Sequence, residues 1–351
     1  MFRKCFFGYF FSKKSNSPPE RRHKVFHLNR MKIKMTEIRN EGIPFDTQYF
    51  ESINVNRSAV ERRAASLGGR RTVKKEFQAA WLLKAITCID LTTLAGDDTA
   101  GNVERLCAKA ISPVRKDLLE AMEMADANIT TGAVCVYHNM IADAKRSLGN
   151  SGIPIAAVST GFPAGKISFE QKVEEIKKSV EAGATEIDIV ISRELVINSK
   201  WEELYNEVKA CRAACGDAHM KTILATGEIP TYTKVAKASW VSMMAGSDFI
   251  KTSTGKEAVN ATLPVSLVMI RAIREYQELT GIKVGYKPAG GIQKAKQALD
   301  WLILMKEELG DAWLQPNLFR FGASSLLGDI ERQLEHYVTG RYSAGYRHAM
   351  A

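Results

Sequence analysis

The sequence predicts an α/β protein, specifically a (β/α)8 TIM barrel with an N-terminal helical extension. From about residue 78 onward, short runs rich in β-branched residues alternate with amphipathic helical segments, several of which end in glycine. Eight such runs occupy residues 86–90, 131–138, 153–160, 184–191, 220–228, 247–255, 282–291 and 317–325. Eight strand–helix repeats over about 250 residues match the length and order of this barrel.

A doubly wound open sheet is the alternative architecture. Such a sheet usually carries a G-x-G-x-x-G motif directly after its first strand. The segment ITCIDLTTLAGDD (86–98) contains no motif of this kind. The barrel is therefore the preferred fold.

The chain divides into four segments. Residues 1–35 are expected to be a disordered or transit-like extension, 36–78 the helical extension, 79–340 the barrel and 341–351 a flexible tail. The helical extension is expected either to cover the N-terminal end of the barrel or to contact a second subunit. A homo-oligomer is therefore a possible assembly.

The positive charge lies in the first segment. The chain carries a net charge of +10, with 49 Lys and Arg against 39 Asp and Glu. Residues 1–35 contain ten of the basic residues and one acid, which leaves 39 basic and 38 acidic residues for the rest. A nearly neutral folded part argues against nucleic acid as a partner. No apolar run reaches the length of about 18 residues that a transmembrane helix needs, so no membrane partner is expected.

The location of the protein is expected to be cytoplasmic. Six cysteines occur without a CxxC pair, which favours reduced thiols and argues against a metal site. The basic, acid-poor first segment keeps a mitochondrial location open, and a partly nuclear one is also considered. Met31 and Met35 are alternative starts to Met1, so this segment need not belong to the working protein.

Polar and charged residues follow the apolar part of most runs. Because barrel enzymes bind substrate at the carboxyl ends of their strands, these residues are expected to face one pocket. They are Asp90, Thr92, Cys135, Thr160, Asp188, Thr226, Glu228, Lys251, Lys287 and the turn 322–325. Any single buried charge is well explained by a structural ion pair. Two lysines and two aspartates on strand ends favour a catalytic site.

The two lysines indicate Schiff-base chemistry. Burial or a neighbouring ammonium group lowers the pKa of a lysine and makes it a nucleophile toward carbonyl carbon. The resulting iminium group stabilises a carbanion without a metal or other cofactor, and a nearby aspartate moves the protons. The residues alone give a preference for Lys251 as the nucleophile, but they do not exclude Lys287.

Glycine-containing turns after the last three strands predict a phosphate site. They are Thr254-Gly255-Lys256, Gly290-Gly291 and Gly322-Ala323-Ser324-Ser325. Glycine lets backbone amides approach an anion, and helix N-termini favour negative charge. The segment STGK does not complete a nucleotide-binding P-loop, because Glu257 follows it. Ordinary helix-capping turns remain the alternative.

The motifs at these positions resemble the deoxyribose-phosphate aldolase family. The resemblance extends from Ala79 to Ser343 through IDLTTL, AVCVYH, TGFPAG, GATEIDIVI, KTILATGE, GSDFIKTSTGKEAVNAT, VGYKPAGGI and FRFGASSLL. It implies a cofactor-free and metal-free aldolase that reversibly cleaves 2-deoxy-D-ribose 5-phosphate to D-glyceraldehyde 3-phosphate and acetaldehyde. The physiological role implied is deoxynucleoside catabolism, with this phosphorylated sugar as the partner.

The resemblance also implies roles for individual residues. Lys251 matches the Schiff-base lysine, Lys287 the lysine that perturbs its pKa, and Asp188 the proton relay. Substrate-binding positions are Asp90, Thr92, Cys135, Thr254, Gly255, Lys256, Gly290, Gly291, Ser324 and Ser325.

Two positions depart from the family pattern, and the role of the C-terminal tail is undecided. His138 stands where proline is common, and Gln293 where arginine is common, which puts phosphate affinity in doubt. The tail offers Tyr342 and Tyr346, either of which is a candidate to fold over the substrate. A transaldolase and a non-catalytic phosphate binder on the same fold are the alternative functions.

Overall fold

The structure, a computed structural model, describes residues 39–70 and 72–348. The first helices are α1 (Arg57–Arg70) and α2 (Lys75–Thr87). The eight strands are β1 (Ile89–Thr92), β2 (Ala133–Val136), β3 (Ile155–Ser159), β4 (Glu186–Val190), β5 (His219–Ile223), β6 (Phe249–Lys251), β7 (Gly285–Lys287) and β8 (Phe321–Ala323). The remaining helices are α3 (Ala100–Ile111), α4 (Lys116–Ala121), α5 (Ile141–Leu148), α6 (Phe169–Ala182), α7 (Arg193–Ile197), α8 (Trp201–Ala214), α9 (Tyr232–Met244), α10 (Leu263–Thr280), α11 (Ala295–Leu309) and α12 (Leu326–Thr339).

The strands form a parallel barrel, as the sequence predicts. The hydrogen-bonded order is β7-β6-β5-β4-β3-β2-β1-β8. The ring closes between β7 and β8 through the parallel bridges Tyr286–Phe319 and Ala289–Gly322. Because every strand is parallel, all eight carboxyl ends lie at one end of the barrel.

Several boundaries differ from the sequence prediction. The first run was expected to begin at Ile86, but Ile86 and Thr87 complete α2 and β1 begins at Ile89. The fifth run was expected to extend to Glu228. Instead β5 ends at Ile223, and Thr226–Glu228 forms a short 3-10 turn. Apolar β-branched residues at a helix end and at a strand start look alike in sequence, which accounts for the first difference.

The N-terminal extension is helical and packs on the outside of the barrel. Helix α1 contacts α10 and α11, and Arg63 forms ion pairs with Glu307 and Glu308. Before α1, the Asn40 side chain donates to the carbonyls of Met243 and Ser247 at the N-terminal side of β6. The boundary expected after residue 78 falls inside α2. The expected extension 1–35 lies outside the described residues.

Local sequence signals explain how individual helices begin and end. Ser168 and Gln171 form a capping box at the start of α6, and Gly183 ends that helix with φ of 111°. Pro264 lies in the first turn of α10, where its missing amide hydrogen costs nothing. In the part of the chain that the structure describes, no helix combines the length and apolar character needed to cross a membrane.

Candidate active site

The barrel interior holds a cluster of buried charged side chains. Its members, called the charged cluster below, are Asp90, Glu186, Asp188, Lys221, Lys251, Lys287 and Arg320, each at most 5% exposed. Strand register brings them together, because it pairs Asp188 with Lys221 and Lys251 with Lys287 on neighbouring strands. Alternation along β4 directs Glu186 and Asp188 to the same side. Asp188 therefore lies nearer the carboxyl end of the barrel than Glu186.

Asp188 contacts three lysines. Its Oδ2 accepts hydrogen bonds from Lys251 Nζ at 2.7 Å and from Lys287 Nζ at 2.8 Å. Its Oδ1 accepts from Lys221 Nζ at 3.1 Å. One carboxylate is thus within proton-transfer distance of both lysines that the sequence singles out.

Six members of the charged cluster form a closed ring of alternating charge. Lys287 joins Asp188 to Asp90, which it contacts at 2.5 Å. Arg320 joins Asp90, at 2.5 Å, to Glu186, at 2.8 Å. Lys221 joins Glu186, at 2.5 Å, back to Asp188. Lys251 is outside this ring and, among the described residues, bonds through its Nζ to Asp188 alone.

Electrostatics distinguishes the two lysines of the site. Burial lowers the pKa of Lys251, and the positive charge of Lys287 lowers it further against the attraction of Asp188. Burial would also lower the pKa of Lys287, but Asp188 and Asp90 outweigh it and raise that pKa above its usual value. Lys287 therefore keeps its proton at neutral pH, whereas Lys251 loses its proton more readily than an ordinary lysine.

The carboxylates of the cluster stay ionised. Burial would raise the pKa of Asp188, but Lys221, Lys251 and Lys287 hold it well below the usual range. Burial acts in the same direction on Asp90 and is likewise outweighed, first by Lys287 and then by Arg320, so its pKa is lowered. Asp188 is thus a proton acceptor and not a standing acid in the unliganded protein.

Sequence reasoning missed three members of the cluster. Glu186, Lys221 and Arg320 lie early in β4, within β5 and just before β8, which places them outside the strand ends. The signal was present, since each is a charged residue inside an apolar run (EIDIV, MKTIL and LFRF). Burial of a charge is costly without a partner, which is the argument that identified Asp188.

A cavity of about 250 Å³ connects Lys251 with the predicted phosphate turns. Its lining includes Thr92, Thr254, Gly255, Lys256, Gly290, Gly291, Ser324 and Ser325. Gly290 and Gly291 have φ of 80° and 79°, a conformation that L side chains rarely adopt. Ser325 directly precedes α12, so the positive end of that helix faces the cavity. The structure therefore brings the predicted site residues together, with Cys135 buried nearby.

The first phosphate turn is already occupied by a carboxylate of the chain. The backbone amide of Thr254 donates to Glu257 Oε1 and Oε2, both at 3.0 Å, and the amide of Gly255 donates to Oε2 at 3.2 Å. The Thr254 hydroxyl donates to the same oxygen at 2.7 Å. These donors are not free in this structure. Of the predicted phosphate site, the turns after β7 and β8 and Lys256 are therefore the parts that Glu257 does not occupy.

Arg193 braces one half of the barrel mouth. Its guanidinium donates to the carbonyls of Pro163 and Ala164 in the turn after β3. It also pairs with Glu228 after β5, at 2.8 Å, and lies 3.8 Å from Glu257 after β6. One side chain thus connects the turns that follow three strands.

Other expected residues have structural roles or lie away from the cavity. The Thr160 hydroxyl bonds to backbone atoms of Ser159 and Val190, and His138 Nδ1 contacts Ser179 Oγ at 3.0 Å. Tyr342 and Tyr346 are 91% and 90% exposed, so neither covers the cavity in this structure. The tail is anchored instead by His348, which is buried and bonds to Glu335 at 2.7 Å.

Comparison with known proteins identifies the family. The profile of the DeoC/LacD family aldolase matches residues 84–329. The chain belongs to this aldolase family. Members from animals are similar over most of their length. Human deoxyribose-phosphate aldolase is 60% identical over 307 residues, which cover 87% of this chain and 96% of the relative. The mouse enzyme of the same name is 61% identical over 305 residues, covering 86% and 96%.

Solved structures of the family share the barrel. A Toxoplasma gondii structure, provisionally assigned as a deoxyribose-phosphate aldolase, superposes with a TM-score of 0.64 at 21% identity and covers 76% of this chain and 98% of its own. The deoxyribose phosphate aldolase of Aeropyrum pernix gives a TM-score of 0.52 at 20% identity, with 80% and 99% covered. At these identities the likeness shows the fold, and the (β/α)8 prediction is confirmed.

Proposed function

We propose that the protein is a deoxyribose-phosphate aldolase that works through a Schiff base on Lys251. It reversibly cleaves 2-deoxy-D-ribose 5-phosphate to D-glyceraldehyde 3-phosphate and acetaldehyde. The observation that carries the proposal is the position of Lys251, which lines the same cavity as the glycine and serine turns and contacts Asp188 at 2.7 Å. The names of the animal relatives supply the substrate.

The first half of the reaction forms the Schiff base. The neutral amine of Lys251 attacks C1 of the open-chain sugar to form a protonated iminium group, and the former carbonyl oxygen leaves as water after gaining one proton from the lysine nitrogen and one from solvent. Asp188 receives the proton that the lysine nitrogen loses and returns it to the departing oxygen. Lys287 stays charged beside them and supplies the positive charge that favours the neutral form of Lys251.

The second half breaks the carbon–carbon bond. The C3 hydroxyl loses its proton to Asp188, the C2–C3 bond breaks, and its electron pair enters the iminium group to give an enamine. D-glyceraldehyde 3-phosphate leaves with the new C3 carbonyl. Protonation of the enamine carbon and addition of water to the iminium then release acetaldehyde and restore the amine. Asp90, Thr92 and Cys135 are assigned to the wall around the sugar.

The turns after β7 and β8 are assigned to the phosphate group. Gly290 and Gly291 are left-handed at the cavity, and Ser324 and Ser325 precede the N-terminus of α12. Backbone amides and a helix N-terminus together favour a dianion. Lys256 lines the same cavity and adds a positive charge. Because Glu257 occupies the amides of Thr254 and Gly255, these two residues position Lys256 in our assignment.

Borohydride trapping tests the proposal. The protein is incubated with 2-deoxyribose 5-phosphate, reduced, digested and examined by peptide mass spectrometry. The expected result is a reduced adduct on Lys251 that is absent from Lys251→Ala and retained in Lys178→Ala, which removes an exposed lysine of α6. A folded protein that gives no adduct and leaves the substrate intact would contradict the proposal.

Trapping with other sugars, and a binding measurement on Lys251→Arg, separate the alternative functions. A transaldolase would form an adduct with a different phosphorylated sugar and none with 2-deoxyribose 5-phosphate. A non-catalytic phosphate binder would bind the sugar with unchanged affinity in Lys251→Arg, since no covalent bond forms.

The biological setting is part of the proposal. A role in deoxyribose catabolism follows from the proposed substrate, and the cytoplasmic location stays a prediction. The Aeropyrum pernix relative is described as a tetramer, which supports a homo-oligomer here. Light scattering of the purified protein tests the assembly, and a monomer across the working concentration range would contradict it.

A further inference from the structure

The charged cluster contains one cation more than it has carboxylates. The six-membered ring described above is neutral when all its members are charged, since three carboxylates alternate with three cations. Lys251 is the additional basic group, and it reaches the ring only through Asp188. Each cation of the ring contacts at least two carboxylates, and Lys221 lies near three. Loss of one proton makes the buried cluster neutral, and Lys251, with a single carboxylate contact, is the cation that loses it most readily.

Two of the six ring members lie on the side of the ring away from the substrate cavity. Glu186 and Arg320 do not line that cavity and lie toward the opposite end of the barrel interior. Arg320 nevertheless donates hydrogen bonds to both Asp90 and Glu186. Lys221 donates in turn to Glu186 and to Asp188, which connects Arg320 with Asp188. In a buried and poorly screened interior, charges at these separations influence one another strongly.

We infer that Glu186 and Arg320 are positioning residues that set the protonation of Lys251 through the ring, a role that rests on the proposed Schiff-base function. Neither touches the substrate. Arg320 balances the carboxylates so that they do not retain a proton on Lys251. Glu186 pairs with Lys221 and Arg320 and offsets part of their positive charge. The pKa of Lys251 is therefore not lowered as far as the cations alone would lower it.

The other titratable groups near the ring add no competing charge. The Cys135 thiol faces Lys251 from β2, and burial raises its pKa, so it stays neutral. His219 lies beside Glu186 on the neighbouring strand β5, and burial lowers its pKa, so it is also mainly neutral near pH 7. Lys256 is exposed at the cavity rim, where solvent screens its charge.

Opposite shifts follow for the two ring partners. In Glu186→Gln the cluster loses a negative charge, so the pKa of Lys251 falls and its neutral form appears at lower pH. In Arg320→Gln the cluster loses a positive charge, so the pKa of Lys251 rises. Each shift is expected to be about one pH unit, as for a single nearby charge in a protein interior. The double variant restores the balance and returns the pKa close to that of the unmodified protein.

Competitive acetylation measures this directly. The full chain and its variants are labelled with a trace of acetic anhydride across a pH series. Peptide mass spectrometry then gives the pH at which Lys251 becomes reactive, without any sugar present. The acid limb of kcat/KM against pH for cleavage of 2-deoxyribose 5-phosphate is measured in parallel and is expected to move in the same direction.

A matched control removes a buried ion pair elsewhere. Glu207→Gln breaks the buried Lys172–Glu207 pair, which lies between α6 and α8 outside the barrel interior. It should leave the reactivity of Lys251 unshifted. Arg320→Lys keeps the charge and loses the forked geometry, so its profile should stay nearer to the original than that of Arg320→Gln. If Arg320→Gln fails to fold, Lys221→Gln serves in its place. It also removes one positive charge from the ring, at a residue that contacts Asp188 directly, and should likewise raise the pKa of Lys251.

The outcomes distinguish this inference from the proposed function. Single variants that leave the acetylation profile of Lys251 in place would overturn the inference, even if the protein cleaves the sugar. Opposite shifts that cancel in the double variant would support the inference, even if no cleavage of this sugar were found.

Discussion

Lys251 and Lys287 lie level on neighbouring strands, yet their surroundings give them different chemistry. Lys287 bonds to both Asp90 and Asp188, so its charge is compensated and burial does not remove its proton. Lys251 shares Asp188 with two other lysines, and its own burial is not compensated to the same extent. The number of carboxylate contacts, and not the position at a strand end, therefore accounts for the opposite pKa shifts of the two lysines.

Substitution of Gln293 by arginine tests the phosphate turn. Gln293 lines the same cavity as Gly290 and Ser325 and carries no charge. Gln293→Arg is expected to lower KM for 2-deoxyribose 5-phosphate by roughly threefold to tenfold, since a charge-assisted hydrogen bond to phosphate is worth on the order of 1 kcal/mol. Steady-state kinetics measures the change.

The control for this variant adds the same charge elsewhere. Gln315 lies before β8, toward the N-terminal end of the barrel, and is exposed. Gln315→Arg should leave KM unchanged. An unchanged or higher KM in Gln293→Arg would show that the arginine does not reach the phosphate.

Strands β6 and β7, of three residues each, position Lys251 and Lys287 because the two strands pack closely against each other. On β7, a Cβ added to Gly285 would lie 2.4 Å from the ring of Phe249 on β6. The absence of a side chain therefore lets β6 and β7 pair in the register that sets Lys251 beside Lys287. In sequence, a glycine between apolar residues lowers the expectation of a strand. Here Gly285 lies within β7 and leaves room for the ring of Phe249.

Substitution of Gly285 tests this packing. Gly285→Ala is expected to lower the free energy of unfolding by about 1–3 kcal/mol, because the ring of Phe249 or the strand must move. Chemical denaturation measures the loss.

A second glycine provides the comparison. Gly69 lies in α1 with no atom near its added Cβ, so Gly69→Ala should stabilise the protein by roughly 0.5–1 kcal/mol. Equal effects of the two substitutions would contradict the packing argument.

The sequence predicts elements better than it predicts their partners. Alternation of β-branched runs and helices determines the barrel, because each run has to be buried on both faces. The strand-end rule finds Asp90, Asp188, Lys251 and Lys287. It cannot find that Arg320 meets Glu186, because that contact joins strands 134 residues apart in sequence. It also cannot find that Glu257 fills the turn after β6, since a side chain three residues away competes there with a ligand.

At the scale of the whole molecule, both end segments of the described chain attach to the outside of the barrel. Helix α1 packs on α10 and α11, and the tail returns to α12. His348 is buried against Glu335, which also pairs with Arg347 at 3.0 Å. The same histidine lines a cavity with Gln293 and Ser325, so the anchored tail reaches the neighbourhood of the phosphate turns.

Deletion of residues 341–351 tests whether the tail serves turnover. We expect a lower kcat, since the deletion removes the anchor beside the phosphate turns together with both tail tyrosines. The double variant Tyr342→Phe/Tyr346→Phe keeps the anchor and removes only the hydroxyls. A loss that appears in both shows that a tyrosine reaches the substrate, and a loss confined to the deletion assigns the effect to the anchor. Full turnover in the deletion variant would show that the tail is inert.

The brace formed by Arg193 makes the two halves of the barrel mouth mechanically unequal. The guanidinium of Arg193 bonds to the turns after β3 and β5 and lies near Glu257 after β6. These contacts couple the movements of the three turns. Among the described residues, no hydrogen bond or ion pair of Arg193 reaches the turns after β7 and β8, whose glycine and serine residues line the cavity. Under the proposed function, the charged end of a sugar phosphate would meet the turns without this connection together with Lys256, and its carbonyl end would lie at Lys251. In that case we expect adjustment to sugars of different length on the phosphate side of the mouth, with the geometry around Lys251 constant.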